Sequence, residues 1–264
     1  MRKSLTITGI IRRSEQGATR PFLCESGALN YYVKGSYAGK NSLCCEWVAS
    51  RLAKRMLAGF ILDIPEFGIA EVPRSLINGS ARQDIRDLGE GFVFASREIE
   101  DSRELTWKAA QGWPDETMAL LLLIDLWLQN EDRSLSPLGG NPNLLVSPSP
   151  YQPKPDIWKG EPKREMLWAY DFNLAFDEDF NRARFFSAHV FGGMLEQWPS
   201  GFREQMGPRM RKYLKLVPEI FAELPLEWLH VDGDDTLPVQ LDMKRVISVL
   251  ELPFANPTSF WTLR

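Results

Sequence analysis

The sequence is poor in the residues that build covalent or metal-bound frameworks. Its 264 residues include only three cysteines: Cys24, and the adjacent Cys44 and Cys45. That set makes no disulfide framework and has no metal-ligand spacing, so a reducing cytoplasm is the expected setting. There are two histidines, His189 and His230; both lie near aromatic residues and read as packing or surface groups. Long apolar runs are missing as well. The longest, residues 119–128, contains Asp125 and falls well short of the ~20 residues that cross a bilayer. The N-terminal stretch "MRKSLTITGIIRRSEQG" has early basic residues but neither the apolar core nor the cleavage pattern of a secretion signal. No basic amphipathic segment suggests a lipid surface. A net charge of −4 gives no reason to expect nucleic acid as a direct partner. The acidic "DGDD" at 232–235 lacks the closing glutamate of a calcium loop and reads as a solvated turn.

What is present is an ordinary globular composition, 44% apolar and 25% charged, on a chain long enough for two sizeable cores. The first hundred residues alternate β-branched and aromatic residues, predicting strands over 5–13, 20–26, 29–35, 67–73 and 91–99, with a hairpin turn at Ser26-Gly27. One helix interrupts them at 41–57, capped by Asn41 or Ser42 and closed by Gly59. Beyond residue 100 the pattern is mainly helical, at 103–110, 114–129, 203–222 and 239–251. The expected class is therefore α+β in two lobes, a β-rich lobe over 1–98 and a mostly helical one over 99–264. The Pro-, Ser- and Lys-rich stretch 147–165 reads as an exposed insertion. Nine tryptophans, Trp127, Trp168 and Trp228 among them, read as core packing.

Three places break the apolar pattern with groups that need partners. On helix 41–57, Glu46 falls in register with Ala49, Ala53 and Leu57, where an ionised carboxylate is costly unless paired. Lys34, ending the apolar strand "NYYVKG", is the natural cation for it. The apolar helix 114–129 then delivers "NEDR" (130–133), followed by a Gly- and Pro-containing loop and a second amide stretch, "GGNPNLL". Finally Asp171 interrupts "LWAYDFNLAF". Oxygen donors from Asp132, Asn143 and Asp171 would suit Mg²⁺.

Together these pieces resemble the HipA-like kinases, whose bilobal fold is related to the protein kinases. In that likeness Lys34 is similar to the strand lysine that contacts the ATP phosphates, and Glu46 to its ion-pair partner. Asp132 resembles the catalytic aspartate. Asn143 resembles the metal-binding asparagine, with Asn141 as rival, and Asp171 the aspartate of the Asp-Phe-Gly position. The stretch "SEQGATR" (14–20) looks like the HipA phosphate loop and brings Ser14, Gly17, Thr19 and Arg20 to the nucleotide, with Ser14 matching a serine that is autophosphorylated. The resemblance implies ATP and Mg²⁺ as cofactors, a Ser/Thr protein substrate, and an antitoxin or regulatory protein as partner. The chain departs from ordinary protein kinases in having no G-x-G-x-x-G loop and no His-Arg-Asp. It has "DFN" in place of Asp-Phe-Gly, and Asp132 and Asn143 lie farther apart than in D-x-x-x-x-N. A pseudokinase and a small-molecule or lipid kinase are the alternative functions.

Overall fold

The computed structural model describes residues 5–15, 17, 19–149 and 165–262. Gln16 and Ala18 of the predicted phosphate loop, and residues 150–164 of the predicted insertion, lie outside the described residues. The chain divides into two compact units. The first comprises Met1–Trp47, Pro65–Ile99 and Leu224–Gln240; the second comprises Val48–Ile64, Glu100–Glu223 and Leu241–Arg264. The sequence predicts one crossing, near residue 98; the chain makes several.

In chain order the strands are β1 (Leu5–Thr6), β2 (Gly9–Arg13), β3 (Phe22–Ser26), β4 (Leu29–Lys34), β5 (Leu62–Asp63), β6 (Phe67–Val72), β7 (Gly91–Arg97), β8 (Arg103–Glu104), β9 (Ser134–Ser136), β10 (Gly139–Asn141), β11 (Leu144–Pro148) and β12 (Glu165–Ala169). The helices are α1 (Lys40–Leu57), α2 (Arg74–Asn78), α3 (Ile85–Leu88), α4 (Trp107–Ala110), α5 (Asp115–Leu128), α6 (Arg182–Ala188), α7 (Phe202–Leu214), α8 (Val217–Phe221), α9 (Met243–Ala255) and α10 (Pro257–Trp261).

The first unit is built on a six-stranded sheet in the order β1-β6-β7-β4-β3-β2. Alternation along its strands sends Phe22, Cys24, Tyr31, Val33, Ala70, Val72, Val93 and Ala95 into one core, which Ile85 and Leu88 of α3 close. β3 and β4 form the expected hairpin, with Gly27 at φ 61° in its turn. The predicted strand 5–13 is split. Ile7 donates to the Glu71 carbonyl and Thr8 to the Glu25 carbonyl, so the chain leaves β6 and joins β3 at that step. After β4 the backbone passes so close to α3 that a Cβ on Gly35 would lie 2.0 Å from the Leu88 carbonyl oxygen. The Ser36 hydroxyl lies 2.9 and 3.1 Å from the Arg86 and Asp87 carbonyls, fixing α3 there.

The second unit centres on α5. From Ala119 to Leu128 every residue of this helix is buried, which only a helix inside a core can tolerate. It ends where Gln129 turns left-handed, at φ 51°. Trp127, fully buried, donates its indole N–H to Leu250 of α9. A four-stranded sheet in the order β5-β12-β11-β8 and the separate hairpin β9–β10 complete the strands described in this unit. Three predicted helices differ from those observed; of 103–110 only Trp107–Ala110 is helical, and Arg103–Glu104 is the strand β8. Residues 203–222 form two helices, α7 with Pro208 inside it and α8, whose first turn Pro218 occupies. The helix expected at 239–251 starts at Met243, where the Asp242 carboxylate accepts from the Arg245 N–H. No helix among the described residues is long and apolar enough to cross a membrane.

The approach of Gly35 to α3 leaves no room for a methyl group against backbone. Gly35→Ala is expected to lower unfolding stability by about 1–3 kcal/mol, as overpacking does. Chemical denaturation with an unchanged midpoint would show that the contact is looser than described.

Candidate functional site

Each unit carries part of the candidate constellation. In the first, β4 ends at Lys34, opposite Phe94 of β7. Its Nζ lies 2.6 Å from Glu46 Oε2 on α1. Lys34 is 8% exposed and Glu46 only 2%, so each charge depends on the other to offset the loss of water. The apolar face that made Glu46 conspicuous is real: Cys45, Val48, Ala49, Leu52 and Ala53 are all buried.

The loop between β2 and β3 is closed at its base, where the Ser14 N–H donates to the Pro21 carbonyl at 2.8 Å. Gly17 has φ 80° and Arg20 φ 42°, left-handed turns that fold the loop back on itself. The Thr19 hydroxyl is buried with no hydrogen-bond partner among the described residues. A buried orphan hydroxyl in this loop suits an oxygen-rich ligand such as phosphate. A cavity of about 450 Å³ in the same unit, lined by Ile10, Ser75, Leu76, Gly79, Ser80 and Arg82, contains none of the candidate residues.

In the second unit the residues of "NEDR" take separate partners, except that Asn130 and Arg133 share Asp125. Asn130 donates to Asp125 Oδ1 on α5 at 2.9 Å. Glu131 accepts from Asn181 and Arg184 at the start of α6. Asp132 receives the side-chain amide of Asn143, at 2.9 Å on both its carbonyl and its Oδ2. Arg133, with no exposure, donates Nε to Asp125 Oδ2 at 2.8 Å and Nη1 to the carbonyls of Asn143 and Tyr170 at 2.7 and 2.8 Å. Its guanidinium also lies 4.5 Å from the centre of the Phe172 ring. Asp132, Asn143 and Asp171 are therefore brought to one locality, the last through its neighbours Tyr170 and Phe172. Asn143 and Asp171 both adopt left-handed backbone, at φ 47° and 59°. Asn and Asp tolerate that region better than other non-glycine residues, and strained backbone of this kind gathers at functional sites.

The eleven-residue separation of Asp132 and Asn143 is taken up by the hairpin β9–β10. Asn141 lies exposed on β10, and its Oδ1 accepts from the Asn143 N–H at 3.4 Å. Both amide hydrogens of Asn143 face Asp132, which leaves its Oδ1 as the atom available to a cation. An amide oxygen with the Asp171 carboxylate is a donor set of the kind that hard divalent cations take. Among the described residues no group of three or more His, Cys, Asp or Glu could hold a metal without such help.

Comparison with known proteins identifies the family. A family model for the HipA-like kinase matches residues 7–264. The chain belongs to the HipA-like kinase family. Its activity class is accordingly that of a kinase, and the α+β fold in two units is the one expected. Among solved structures it is similar to the Helicobacter pylori proinflammatory kinase CtkA, at 10% identity over 94% of this chain and 93% of that one, with a TM-score of 0.45. No curated protein matches the chain.

In this HipA-like kinase, sequence reasoning missed Asp125 and Arg133. A signal for Asp125 was available, since it is the only charge in the apolar run of α5; Arg133, eight residues on in a turn, carried none. His189 belongs to the same buried group. Its Nδ1 accepts from the Phe191 N–H at 3.0 Å, so the neutral ring carries its proton on Nε2, which faces Asp125 Oδ2 at 3.1 Å. Burial pushes the His189 pKa below its usual 6.5, outweighing the pull of the Asp125 carboxylate. The "DGDD" segment is a turn, as expected: Asp232 accepts from Thr236 and Leu237, which holds its pKa down to about 2.

Two measurements test these arrangements. Lys34→Met or Glu46→Met alone should cost about 3–5 kcal/mol of stability, and the double variant should regain most of it, since only the single changes strand a buried charge. Additive losses in the double variant would mean that the two side chains do not depend on each other. For His189, the unfolded chain binds a proton more readily than the folded one. Its contribution is therefore present above the unfolded pKa and declines as pH falls from about 6.5 toward the depressed folded value. His189→Gln should flatten the fall of the thermal midpoint between about pH 7 and 5; an unaltered slope would remove His189 as its source.

Proposed function

We propose that the chain transfers the γ-phosphoryl group of ATP to a Ser or Thr hydroxyl of a protein. The observation that carries this is the double hydrogen bond from the Asn143 amide to Asp132, which orients a carboxylate and an amide oxygen together beside Asp171. Asp132 would accept the hydroxyl proton as the oxygen attacks the γ-phosphorus. The bond from that phosphorus to the bridging β-phosphate oxygen breaks, and ADP leaves. Mg²⁺, when bound, supplies charge neutralisation on the phosphates, and Asn143 Oδ1 and the Asp171 carboxylate would hold it. Lys34, kept in place by Glu46, would contact the α- and β-phosphates. Ser14, Gly17, Thr19 and Arg20 would surround the nucleotide from their loop. Catalysis of this kind is mainly positioning and charge compensation.

The same assignment extends to autophosphorylation at Ser14, to an antitoxin or regulatory protein as partner, and to a cytoplasmic setting. Buried thiols outside any disulfide at Cys24, Cys44 and Cys45 support the last, with burial pushing Cys24 and Cys44 up to about 12, where they are inert.

Purified protein with radiolabelled ATP and Mg²⁺ provides the test. Asp132→Asn and Asp171→Asn should each lower phosphoryl transfer by about 10²–10⁴-fold with the thermal midpoint unchanged. Full transfer by either variant overturns the residue roles. Stabilisation by ATP without any transfer in the wild type would favour a pseudokinase, and labelling of a hydroxyl metabolite but no protein would favour a small-molecule kinase.

A further inference from the structure

We propose that Arg13 is the positioning residue of the phosphate loop, acting through Asp87 of α3. The inference rests on the nucleotide role given above to residues 14–20. Arg13 ends β2, immediately before Ser14, and its side chain is only 9% exposed. Its Nη1 lies 2.5 Å from Asp87 Oδ2 and 4.0 Å from Asp84 Oδ2. Its Nε donates to the Arg20 carbonyl at 3.2 Å, so this one side chain grips the far end of the loop that it precedes. The guanidinium lies 4.9 Å from the Phe22 ring centre and 5.1 Å from that of Tyr37. Its Nη2 is buried without a hydrogen-bond partner among the described residues. All three nitrogens are thus turned to protein, whereas Arg20 is exposed. Arg13 sets where the loop lies and leaves phosphate contact to other groups.

Asp87 is itself fixed. The Ser36 hydroxyl meets the Arg86 and Asp87 carbonyls, and Gly35 passes against Leu88. Gly35 and Ser36 directly follow Lys34. A continuous series of contacts within the first unit therefore runs from the loop through Arg13, Asp87 and α3 to the residue after Lys34. The loop and the lysine are held in one frame, so a loop released from Arg13 loses its register with the lysine that shares its ligand. Two hydrogen bonds from one guanidinium need its fork; a lysine ammonium keeps the charge but does not span Asp87 and the Arg20 carbonyl together.

The test uses Arg13→Lys, Asp87→Asn and the double variant in the full chain. Two quantities are read: the dissociation constant for ATP with Mg²⁺ by calorimetry, and hydrogen exchange of the Ser14 amide. Each single variant should weaken ATP binding roughly tenfold and the double no further, with kcat at saturating ATP within about twofold of wild type. The Ser14 amide, protected by Pro21, should exchange faster in all three. Wild-type ATP affinity in Arg13→Lys overturns the proposal, because charge alone would then suffice, and so do additive losses in the double variant. If the wild-type chain binds no ATP, the nucleotide role of the loop falls; Ser14 exchange then still decides whether Arg13 holds it, and unchanged protection in Arg13→Lys ends that claim too.

Discussion

A guanidinium and a carboxylate with no access to water sit at the base of the candidate site, and the second unit is arranged around them. Asp125 and Arg133 are both fully buried and 2.8 Å apart. Removing either partner would strand the other charge, at a cost of about 3–5 kcal/mol. The pair is thus permitted only while α5 and the segment after it keep their relative placement. Asp125 is satisfied from Asn130, Arg133 and His189 together, and Arg133 spends its Nη1 on two carbonyls of separate segments. Those segments carry Asn143 and Asp171. A requirement of electrostatics, that no buried charge go unpaired, has become a requirement of geometry at the two residues proposed to hold the metal.

The first unit solves a similar problem with the same means. Lys34 and Glu46 are buried as a pair, and α3 is tied to the residues after Lys34. In both units a cation that stays charged is enclosed and made to organise its surroundings. Arg133 does this through backbone carbonyls, and Arg13 through a carboxylate and a carbonyl. Arginine suits the task because its donors diverge in a fixed plane and its charge survives burial. Three of the predicted site residues, by contrast, keep partial exposure: Ser14, Asp132 and Asp171 are each half-buried, whereas Lys34, Glu46 and Asn143 are buried.

How much of this was legible follows from which signals are local. Glu46 on an apolar helix face and Asp171 in an apolar strand-like run could be read as groups in need of partners, because periodicity alone shows the conflict. The α1 and α5 boundaries were legible within a residue for the same reason. Arg133 was not, since an arginine after an aspartate in a turn looks solvated until the fold encloses it. The role of Arg13 was hidden too: its partner Asp87 is far along the chain, on a four-residue helix too short to leave a periodic mark. The break between α7 and α8 was legible in principle, as Pro218 marks it, but the apolar pattern continues across the break and conceals it.

The spacing of Asp132 and Asn143 shows how the chain tolerates an insertion at such a place. An added stretch between two residues of a candidate site would ordinarily loosen both ends. Here the extra residues pair with themselves as β9 and β10, and Gly140 is required where a Cβ would lie 2.4 Å from the Ser134 carbonyl oxygen. Ser134 in turn bridges to His189, and Val190 donates to the Arg133 carbonyl, so the hairpin's base is fastened to the buried Asp125 group. The insertion ends where Asn143 turns left-handed and its amide returns to Asp132. Because both ends are fixed by bonds that do not involve the hairpin's tip, length can change between them while the carboxylate and the amide stay together. Leu138, almost fully exposed at that tip, lies outside this constraint. Sequence spacing is therefore a poor criterion for this pair, and the hydrogen bonds that close the loop are the better one.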